Sequence, residues 1–426
     1  MKLHIKNGRL IDPANNIDAQ QDVFVADGKV AGIGQAPAGF TADKTIDASG
    51  LVVAPGLVDL SARLREPGYE YKATLESEMQ AAMQGGVTSL LCPPDTDPVL
   101  DEPGLVEMLK HRAKSLNQAH VYPLGALTMG LKGKALTEMA ELTEAGCVGF
   151  SQADEPVLDT TVLLSALQYA KTFDYTVWLR PQDPHLGRHG IAHSGPAASR
   201  LGLSGVPVMS ETIALYTIFE LVRATGARVH LCRMSSAAGL ELVRAAKREG
   251  LPVTCDVGAH HIHLSDMDIG FFDSNARVNP PFRSQRDRDA IRAALLDGTV
   301  DAICSDHTPV DDDEKLLPFG EASPGATGLE LLLSLSLKWA EDAGAPDAIS
   351  KAVAKVTTDA ARIAGLPAGS LKVGDIADVC IFDPKTRWTV EAKALASQGK
   401  HTPFLGYELS GQVKATIVSG HVAFER

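Results

Sequence analysis

The chain is poor in aromatic side chains, which make up 5% of its 426 residues, and it has only six cysteines. The cysteines lie far apart and none forms a C-x-x-C pair, a pattern typical of buried free thiols in a reducing compartment. No apolar run reaches the roughly 18 residues that a membrane-spanning helix needs. The N-terminal residues also lack the apolar stretch of a signal peptide. These absences predict a cytoplasmic protein without membrane spans.

Positive charge is also in short supply, because 40 Lys and Arg residues stand against 53 Asp and Glu residues, for a net charge of −13. Nucleic acids and anionic membrane surfaces are polyanions, so an acidic chain is a poor partner for either. The hydrophobic fraction of 45% and the charged fraction of 22% are close to those of globular proteins. We therefore expect a folded protein that binds neither nucleic acid nor membrane.

Short strand-like segments occupy both ends of the chain. Near the N-terminus they are separated by Asn7-Gly8 and Asp27-Gly28, dipeptides that favour tight hairpins because these residues tolerate positive φ. Near the C-terminus, Ser419-Gly420 separates two further strand candidates. Strand-rich ends around a long middle predict one small β-sandwich domain built from residues 1–54 and 366–426.

The middle of the chain, residues 55–365, alternates short apolar runs with amphipathic helical patterns. This alternation predicts a TIM-type (β/α)8 barrel, an α/β fold. The alternative is a doubly wound sheet, but no G-x-G-x-x-G follows the first strand. The predicted strands are Leu57–Leu60, Thr88–Cys92, Val121–Leu124, Cys147–Phe150, Thr176–Leu179, Arg228–Cys232, Val253–Val257 and Val300–Cys304.

Reactive side chains of such barrels lie just after the strands, at their carboxyl ends. The chain contains Pro55-Gly56-Leu57-Val58-Asp59 and Leu64-Arg65-Glu66-Pro67-Gly68 around the first strand, and later Asn279-Pro280-Pro281-Phe282-Arg283. With these blocks, in this order, it resembles a dihydroorotase of the amidohydrolase superfamily over nearly its whole length. The resemblance implies the barrel fold, and active members of that family hold zinc at the mouth of the barrel.

The positions at which the family holds its zinc ligands have changed in this chain. The changes affect the H-x-H motif after the first strand, the aspartate pair after the fourth, and the ligand histidines after the fifth and sixth. Only the aspartate after the eighth strand remains, as Asp306, which in the family binds metal and shuttles a proton. The residues that occupy the other positions are Ser61, Arg63, Gln152, Ala153, Arg180 and Arg233.

The replacements oppose metal chemistry. Zinc requires imidazole, thiolate or carboxylate ligands, and water becomes a nucleophile at neutral pH when such a metal binds it. Guanidinium groups carry a fixed positive charge and have no lone pair to donate. We therefore expect no metal, no cofactor and no catalytic residue. Because a buried Asp306 needs a positive partner, we expect the three arginines to replace the electrostatic role of zinc; the alternative is that they point to solvent.

Residues that contact the substrate in the family are altered too. Arg65 matches the family residue that grips the substrate carboxylate, but it is equally consistent with a structural ion-pair partner. Asp95 stands where the family has an asparagine, and its carboxylate would repel an anionic substrate. With Asn279 and His307, these residues are expected to line a remnant of the substrate pocket.

The resemblance implies a non-catalytic role. Degenerate dihydroorotase-like chains assemble with the catalytic chain of aspartate carbamoyltransferase in bacterial pyrimidine synthesis. We expect this chain to be such a structural partner, required for assembly and activity of the transferase, and to self-associate as well. One alternative is an amidohydrolase with a metal site rebuilt from His260, His261, Asp306 and His307. Another is a protein that binds a small anion in an arginine-lined pocket.

Overall fold

The computed structural model describes residues 1–157 and 159–426, and its N-terminal strands belong to two different sheets. The first pairs β1 with β4 and β6, and β4 with β5; the second pairs β2 with β3 and β7. These strands are β1 (Leu3–Lys6), β2 (Arg9–Asp12), β3 (Ile17–Gln20), β4 (Val23–Ala26), β5 (Lys29–Ile33), β6 (Lys44–Asp47) and β7 (Val52–Pro55).

Two dipeptides of the same type play different roles here. The hairpin predicted at Asp27-Gly28 is confirmed, because β4 and β5 pair antiparallel across it. The hairpin predicted at Asn7-Gly8 is wrong, since β1 and β2 do not pair with each other. Asn7 does have the left-handed backbone of a turn, with φ 64°. The turn instead carries the chain from one sheet to the other, where each strand finds non-local partners.

The middle of the chain forms a TIM-type barrel of parallel strands, as predicted. One run of strands is ordered β10-β9-β8 and the other β11-β12-β13-β16-β17-β18, while β14 and β15 form a separate ribbon. A parallel bridge between Ala62 and His307 joins the first strand to the last and closes the barrel. These elements are β8 (Leu57–Asp59), β9 (Val87–Cys92), β10 (His120–Pro123), β11 (Gly125–Ala126), β12 (Phe150–Ser151), β13 (Thr176–Leu179), β14 (Ala192–His193), β15 (Gly205–Val206), β16 (Arg228–Leu231), β17 (Val253–Gly258) and β18 (Ala302–Cys304).

Helices follow the strands and pack against them and against each other. The first begins after Thr74, whose hydroxyl accepts the Ser77 N–H in a capping box, and it ends at Gly86 with φ 79°. No helix of the described residues is both long and apolar enough to cross a membrane. The helices are α1 (Leu75–Gly85), α2 (Pro103–Leu116), α3 (Met139–Ala145), α4 (Thr160–Thr172), α5 (Pro196–Leu201), α6 (Met209–Thr225), α7 (Ala237–Glu249), α8 (Gln285–Asp297), α9 (Asp312–Lys315), α10 (Leu332–Asp342), α11 (Ala348–Lys355) and α12 (Thr358–Ala364).

The C-terminal strands complete a β-sandwich with the N-terminal ones, as predicted. They are β19 (Val379–Thr389), β20 (Glu408–Val418) and β21 (His421–Glu425), and they extend the second sheet to the order β21-β20-β19-β7-β2-β3. The Ser419-Gly420 hairpin is confirmed between β20 and β21. Side chains of β19 alternate between two cores, because successive residues of a strand point to opposite faces. Val379 and Ile381 pack inside the sandwich, whereas Cys380 and Phe382 pack against the barrel.

Candidate functional site

The carboxyl ends of the barrel strands bring five charged side chains to one place, which we call the arginine–aspartate cluster. Two of its members, Arg233 after β16 and Asp306 after β18, have left-handed backbone with φ 55° and φ 50°. Such a conformation is strained for a residue with a side chain, and it persists where the surrounding structure enforces it. The members of the cluster are Arg63, Asp154, Arg180, Arg233 and Asp306.

Asp154 lies at the centre of the cluster, in contact with three guanidinium groups. Its Oδ2 accepts a hydrogen bond of 3.0 Å from Arg63 Nη2, and its Oδ1 lies 3.0 Å from Arg180 Nε. Arg233 Nη2 also donates to Oδ1. Burial by itself raises the pKa of Asp154, but Arg233, Arg63 and Arg180 outweigh this and hold its pKa well below the usual range. Asp154 is therefore a permanent anion that partly neutralises the three cations.

Asp306 also pairs with arginine. Its Oδ1 accepts a hydrogen bond of 3.1 Å from Arg233 Nη1 and lies 3.8 Å from Arg63 Nη1. Arg63, Arg180 and Arg233 have side chains that are only 5%, 7% and 5% exposed. The prediction that arginine compensates Asp306 is confirmed, and the alternative that the arginines point to solvent is wrong. Arg180, however, pairs with Asp154 rather than Asp306, and burial lowers its pKa to about 10.

Two buried carboxylates fix the backbone on which the cluster stands. Asp256 on β17 accepts the Arg233 N–H at 2.6 Å through one oxygen, while its other oxygen lies 3.1 Å from Nε2 of His230. Asp59 at the end of β8 accepts the Ser305 N–H at 2.8 Å, and burial raises the pKa of Asp59 to about 6. Through these bonds, β17 fixes the backbone position of Arg233 after β16, and β8 fixes the backbone position of Ser305, the residue before Asp306, after β18.

Three residues of the predicted substrate-pocket remnant lie around the cluster without forming one binding surface. Asp95 Oδ2 accepts a hydrogen bond of 2.8 Å from Arg63 Nε, so this carboxylate compensates the cluster. The Arg65 side chain turns to the backbone carbonyl of Pro309, to which its Nε donates at 3.0 Å. Asn279 contributes its backbone carbonyl, which accepts from Arg233 Nη1 at 3.1 Å.

The fourth of these residues, His307, does not reach the pocket. Its Nε2 lies 2.5 Å from Glu78 Oε2 on α1, and its Nδ1 accepts the Gly328 N–H at 3.1 Å. Because Nδ1 is an acceptor, the ring proton is on Nε2 and is donated to Glu78. The expectation that His307 lines the pocket is wrong for its side chain, because both ring nitrogens are committed to the barrel wall.

The contacts of the remaining altered positions are with the wall of the barrel. Ser61 contributes its backbone carbonyl, which accepts the His307 N–H at 3.1 Å. The Gln152 amide accepts from Thr128 Oγ1 at 2.9 Å and donates to the Leu131 carbonyl at 2.8 Å. Ala153 packs in a small apolar group with Leu131. In the part of the chain that the structure describes, none of these three side chains forms an ion pair or a hydrogen bond with the cluster.

The zinc ion that the resemblance implies does not fit these positions. His260 and His261 line a cavity of about 30 Å³ together with Asp306, and His260 Nε2 and His261 Nδ1 have no hydrogen-bond partner. Asp306 is already paired with guanidinium, and Arg63 lines the same cavity, where it would repel a cation. Among residues 1–157 and 159–426, no group of three or more His, Cys, Asp or Glu side chains is arranged to hold a metal ion.

Comparison with known proteins places this site in a family. Residues 50–238 match the family described as dihydro-orotase-like, and residues 207–423 match the amidohydrolase family. A dihydroorotase-like protein of Pseudomonas aeruginosa is 45% identical over 100% of this chain and 100% of its own length. The chain belongs to the dihydroorotase-like amidohydrolase family.

Other relatives of this dihydroorotase-like chain carry two different names. A dihydroorotase-like protein of Pseudomonas putida is 44% identical and covers 99% of both chains, and a dihydroorotase of Geobacter sp. strain M21 is 42% identical over 100% of both. Among solved structures, an L-hydantoinase from Arthrobacter aurescens superposes with a TM-score of 0.88. At 24% identity over 99% of this chain and 96% of that one, the likeness is one of fold.

Asp154 is the member of the cluster that sequence reasoning missed. The motif of the dihydroorotase family directs attention to Gln152 and Ala153, and Asp154 stands directly after them. A signal was present, because three arginines at the mouth of a barrel require more negative charge than Asp306 alone supplies. A carboxylate next to a lost ligand pair is the natural candidate for that charge.

The loop that covers the small cavity is held by a buried lysine. Lys315, at the end of α9, donates from Nζ to the carbonyl oxygens of Arg277 at 2.9 Å, Ser323 at 3.1 Å and Gly325 at 2.7 Å. Because Lys315→Met removes this shared donor and leaves the carbonyls of Ser323 and Gly325 unpaired, we expect it to lower the free energy of unfolding by about 2–4 kcal/mol. Urea unfolding measures this, with the exposed Lys134→Met as the control expected to change little. Equal losses in the two variants would contradict the anchoring role.

Proposed function

We propose that this dihydroorotase-like chain is a non-catalytic member of its family. In this proposal it is a structural partner required for assembly and activity of the catalytic chain of aspartate carbamoyltransferase in pyrimidine biosynthesis. The observation that carries the proposal is the arginine–aspartate cluster. Guanidinium groups stand at positions where the family has ligand histidines, and they engage the carboxylates of Asp154 and Asp306.

The space at the mouth of the barrel also supports a non-catalytic role. The cavity between the cluster, His260 and His261 has a volume of about 30 Å³. Pockets that hold small-molecule ligands measure roughly 300–1,000 Å³, so this cavity is far smaller than a site for a ring-shaped amide substrate. Asp306, the one remaining residue of the family's metal site, is thus held by Arg233 and closed off from a substrate of that size.

Support for the partner comes from the family. The two Pseudomonas relatives, at 45% and 44% identity, are named dihydroorotase-like proteins rather than dihydroorotases. The chain keeps the complete barrel and β-sandwich, although ion pairs fill the mouth of its barrel. Its outer surface is therefore available for binding to a partner protein, which is what assembly requires. The transferase is the partner implied by the resemblance to degenerate dihydroorotases.

Sedimentation velocity of this chain mixed with the aspartate carbamoyltransferase of the same organism tests the proposal. We expect a joint species larger than either protein, carrying the transferase activity, and self-association of this chain in the run without transferase. A parallel run with a strong chelator is the control, and the joint species should survive it because the proposed role uses no metal. Separate sedimentation, together with a transferase that is fully active alone, would overturn the proposal.

A second candidate function is an amidohydrolase with a rebuilt metal site. The observation that favours it is the pair of unpartnered imidazole nitrogens, His260 Nε2 and His261 Nδ1, that line the same cavity as Asp306. Metal analysis of the purified chain, combined with a cyclic-amide hydrolysis assay, separates the two functions. Stoichiometric zinc and turnover, both lost in His261→Ala, would favour the enzyme over the structural partner.

A further inference from the structure

A second and larger cavity, of about 200 Å³, lies beside the cluster, and we call it the arginine cavity. Arg180 and Arg233 of the cluster form part of its lining, and Arg188, Arg277 and Arg283 line the rest. Pockets for drug-sized ligands measure roughly 300–1,000 Å³, so this one suits a smaller molecule. Neither the zinc positions nor the proposed assembly role accounts for so many cations around one space.

Three of these arginines have no acidic partner. Among the described residues, no Asp or Glu side chain lies within salt-bridge distance of Arg188, Arg277 or Arg283, whereas Arg180 and Arg233 share Asp154. Arg283 is only 4% exposed. A charged side chain as deeply buried as Arg283 is normally paired, so its lack of a salt bridge indicates a missing anion, and the half-buried Arg277 and the exposed Arg188 add two cations around the same space.

The one carboxylate in the lining does not supply that anion. Glu211 accepts hydrogen bonds from the Ser235 N–H at 2.9 Å, the Ser235 hydroxyl at 2.6 Å, the Ser236 N–H at 3.0 Å and the Ser236 hydroxyl at 2.5 Å. These four donors occupy both of its oxygens and hold it at the start of α7. Glu211 therefore orders the wall; with Asp287 it favours the charged form of Arg283 from a distance, but burial outweighs both and the pKa of Arg283 is lowered.

Neutral oxygens hold the guanidinium groups in position. Arg277 Nη1 donates to the Ile191 carbonyl at 3.2 Å, while its Nε is buried without any partner. Arg283 donates from Nε to the Ser235 hydroxyl at 3.2 Å and from Nη1 to the Val206 carbonyl at 2.5 Å. These bonds orient the side chains but do not compensate their charge. Arg277 and Arg283 are therefore cationic donors already held in position at the edge of this cavity.

We propose that the arginine cavity binds a small oxyanion that carries two or more negative charges, of the phosphate or dicarboxylate type. Guanidinium groups present planar pairs of N–H donors that match the spacing of carboxylate and phosphate oxygens. An anion held by Arg277 and Arg283 lies in the same cavity as Arg180 and Arg233. Its negative charge therefore also offsets the positive charge of these two arginines of the cluster. The site is independent of the transferase, and the sedimentation result does not bear on it.

Isothermal titration calorimetry of the full chain with inorganic phosphate, and separately with succinate, tests this site against sodium chloride at matched ionic strength. We expect saturable one-site binding that sodium chloride does not reproduce. Binding of phosphate alone identifies the phosphate class, and binding of succinate alone identifies the dicarboxylate class. Arg277→Gln and Arg188→Gln should each weaken binding by about tenfold or more, since each removes a charged donor.

Arg248→Gln provides the matched control, because Arg248 is an exposed arginine at the end of α7 that does not line the cavity. Its affinity should equal that of the unaltered chain. Thermal melting of each variant verifies that it folds, and Arg188 is the safer of the two test positions because its side chain is exposed. No binding of either anion, or equal affinity in Arg277→Gln, Arg188→Gln and Arg248→Gln, would overturn the proposal.

Discussion

Asp154→Ala is expected to lower the free energy of unfolding by about 3–5 kcal/mol, because it leaves buried guanidinium groups without their shared anion. Arg63, Arg180 and Arg233 are each no more than 7% exposed, and all three contact the Asp154 carboxylate. In the variant, Asp306 remains within reach of Arg233 and Arg63. Arg180 then has no acidic side chain of the described residues within salt-bridge distance.

Urea unfolding of Asp154→Ala, Arg180→Gln and the double variant measures this effect and its origin. Because the two side chains form an ion pair, the double variant should lose less stability than the sum of the single variants, with a coupling energy of about 0.5–3 kcal/mol. Asp174→Ala is the matched control: its carboxylate is 77% exposed and pairs with Arg228 at the surface, so a loss of about 1 kcal/mol or less is expected. Additive losses, or an Asp154→Ala loss no larger than the control, would show that the cluster does not stabilise the barrel mouth.

His307→Ala should cost about 2–4 kcal/mol, since it removes the donor to a buried carboxylate and leaves a cavity. His307 and Glu78 have side chains that are 0% exposed, and the ring also accepts the Gly328 N–H. The substitution therefore leaves the buried Gly328 N–H without its acceptor and removes one of the donors to the Glu78 carboxylate. His189→Ala, in an exposed loop position, is the control and should change stability little.

The cost of His307→Ala should depend on pH in a defined direction. Burial raises the pKa of Glu78, but hydrogen bonds from His307, Ser397 and Ser77 outweigh it and the net pKa is lowered. A carboxyl group with a folded pKa below its unfolded value of about 4.3 contributes stability above that pH, and this contribution is lost as the pH falls through the folded pKa. Without His307, the pKa of Glu78 rises. Urea unfolding should show the full loss near pH 7 and a smaller one near pH 3, below the unfolded pKa, and a loss that is constant with pH would contradict this account.

Local sequence patterns predicted strands, helices and turns correctly where interactions between neighbouring residues determine them. Apolar runs and helical patterns identified the barrel, and Asp27-Gly28 identified a true hairpin. Asn7-Gly8 carries the same local signal and has the expected turn backbone, yet no hairpin forms there. The pairing of a strand depends on residues far along the chain, which a dipeptide does not contain.

The candidate site also has features that local sequence predicts and features that depend on contacts between distant residues. At the positions that the resemblance assigns to zinc ligands, residue identity alone places fixed positive charge, because the guanidinium groups of Arg63, Arg180 and Arg233 have no lone pair to donate to a cation. Whether those charges meet an anion or solvent depends on distances between strands. Two residues show this. Asp154 lies in the cluster although it was not predicted to, and the side chain of His307, which was predicted to line the pocket, instead contacts Glu78.

The sequence by itself determined the fold class and the side-chain chemistry at the positions that the resemblance assigns to zinc ligands, because hydrophobic periodicity and side-chain chemistry are properties of the residues. The tertiary structure alone decided how the resulting charge is balanced. It placed Asp154 among three guanidinium groups, left Arg277 and Arg283 around a space without an acidic partner, and committed both nitrogens of His307. Electrostatic compensation acts over a few ångströms in space, and only the folded chain brings residues so distant in sequence within that range.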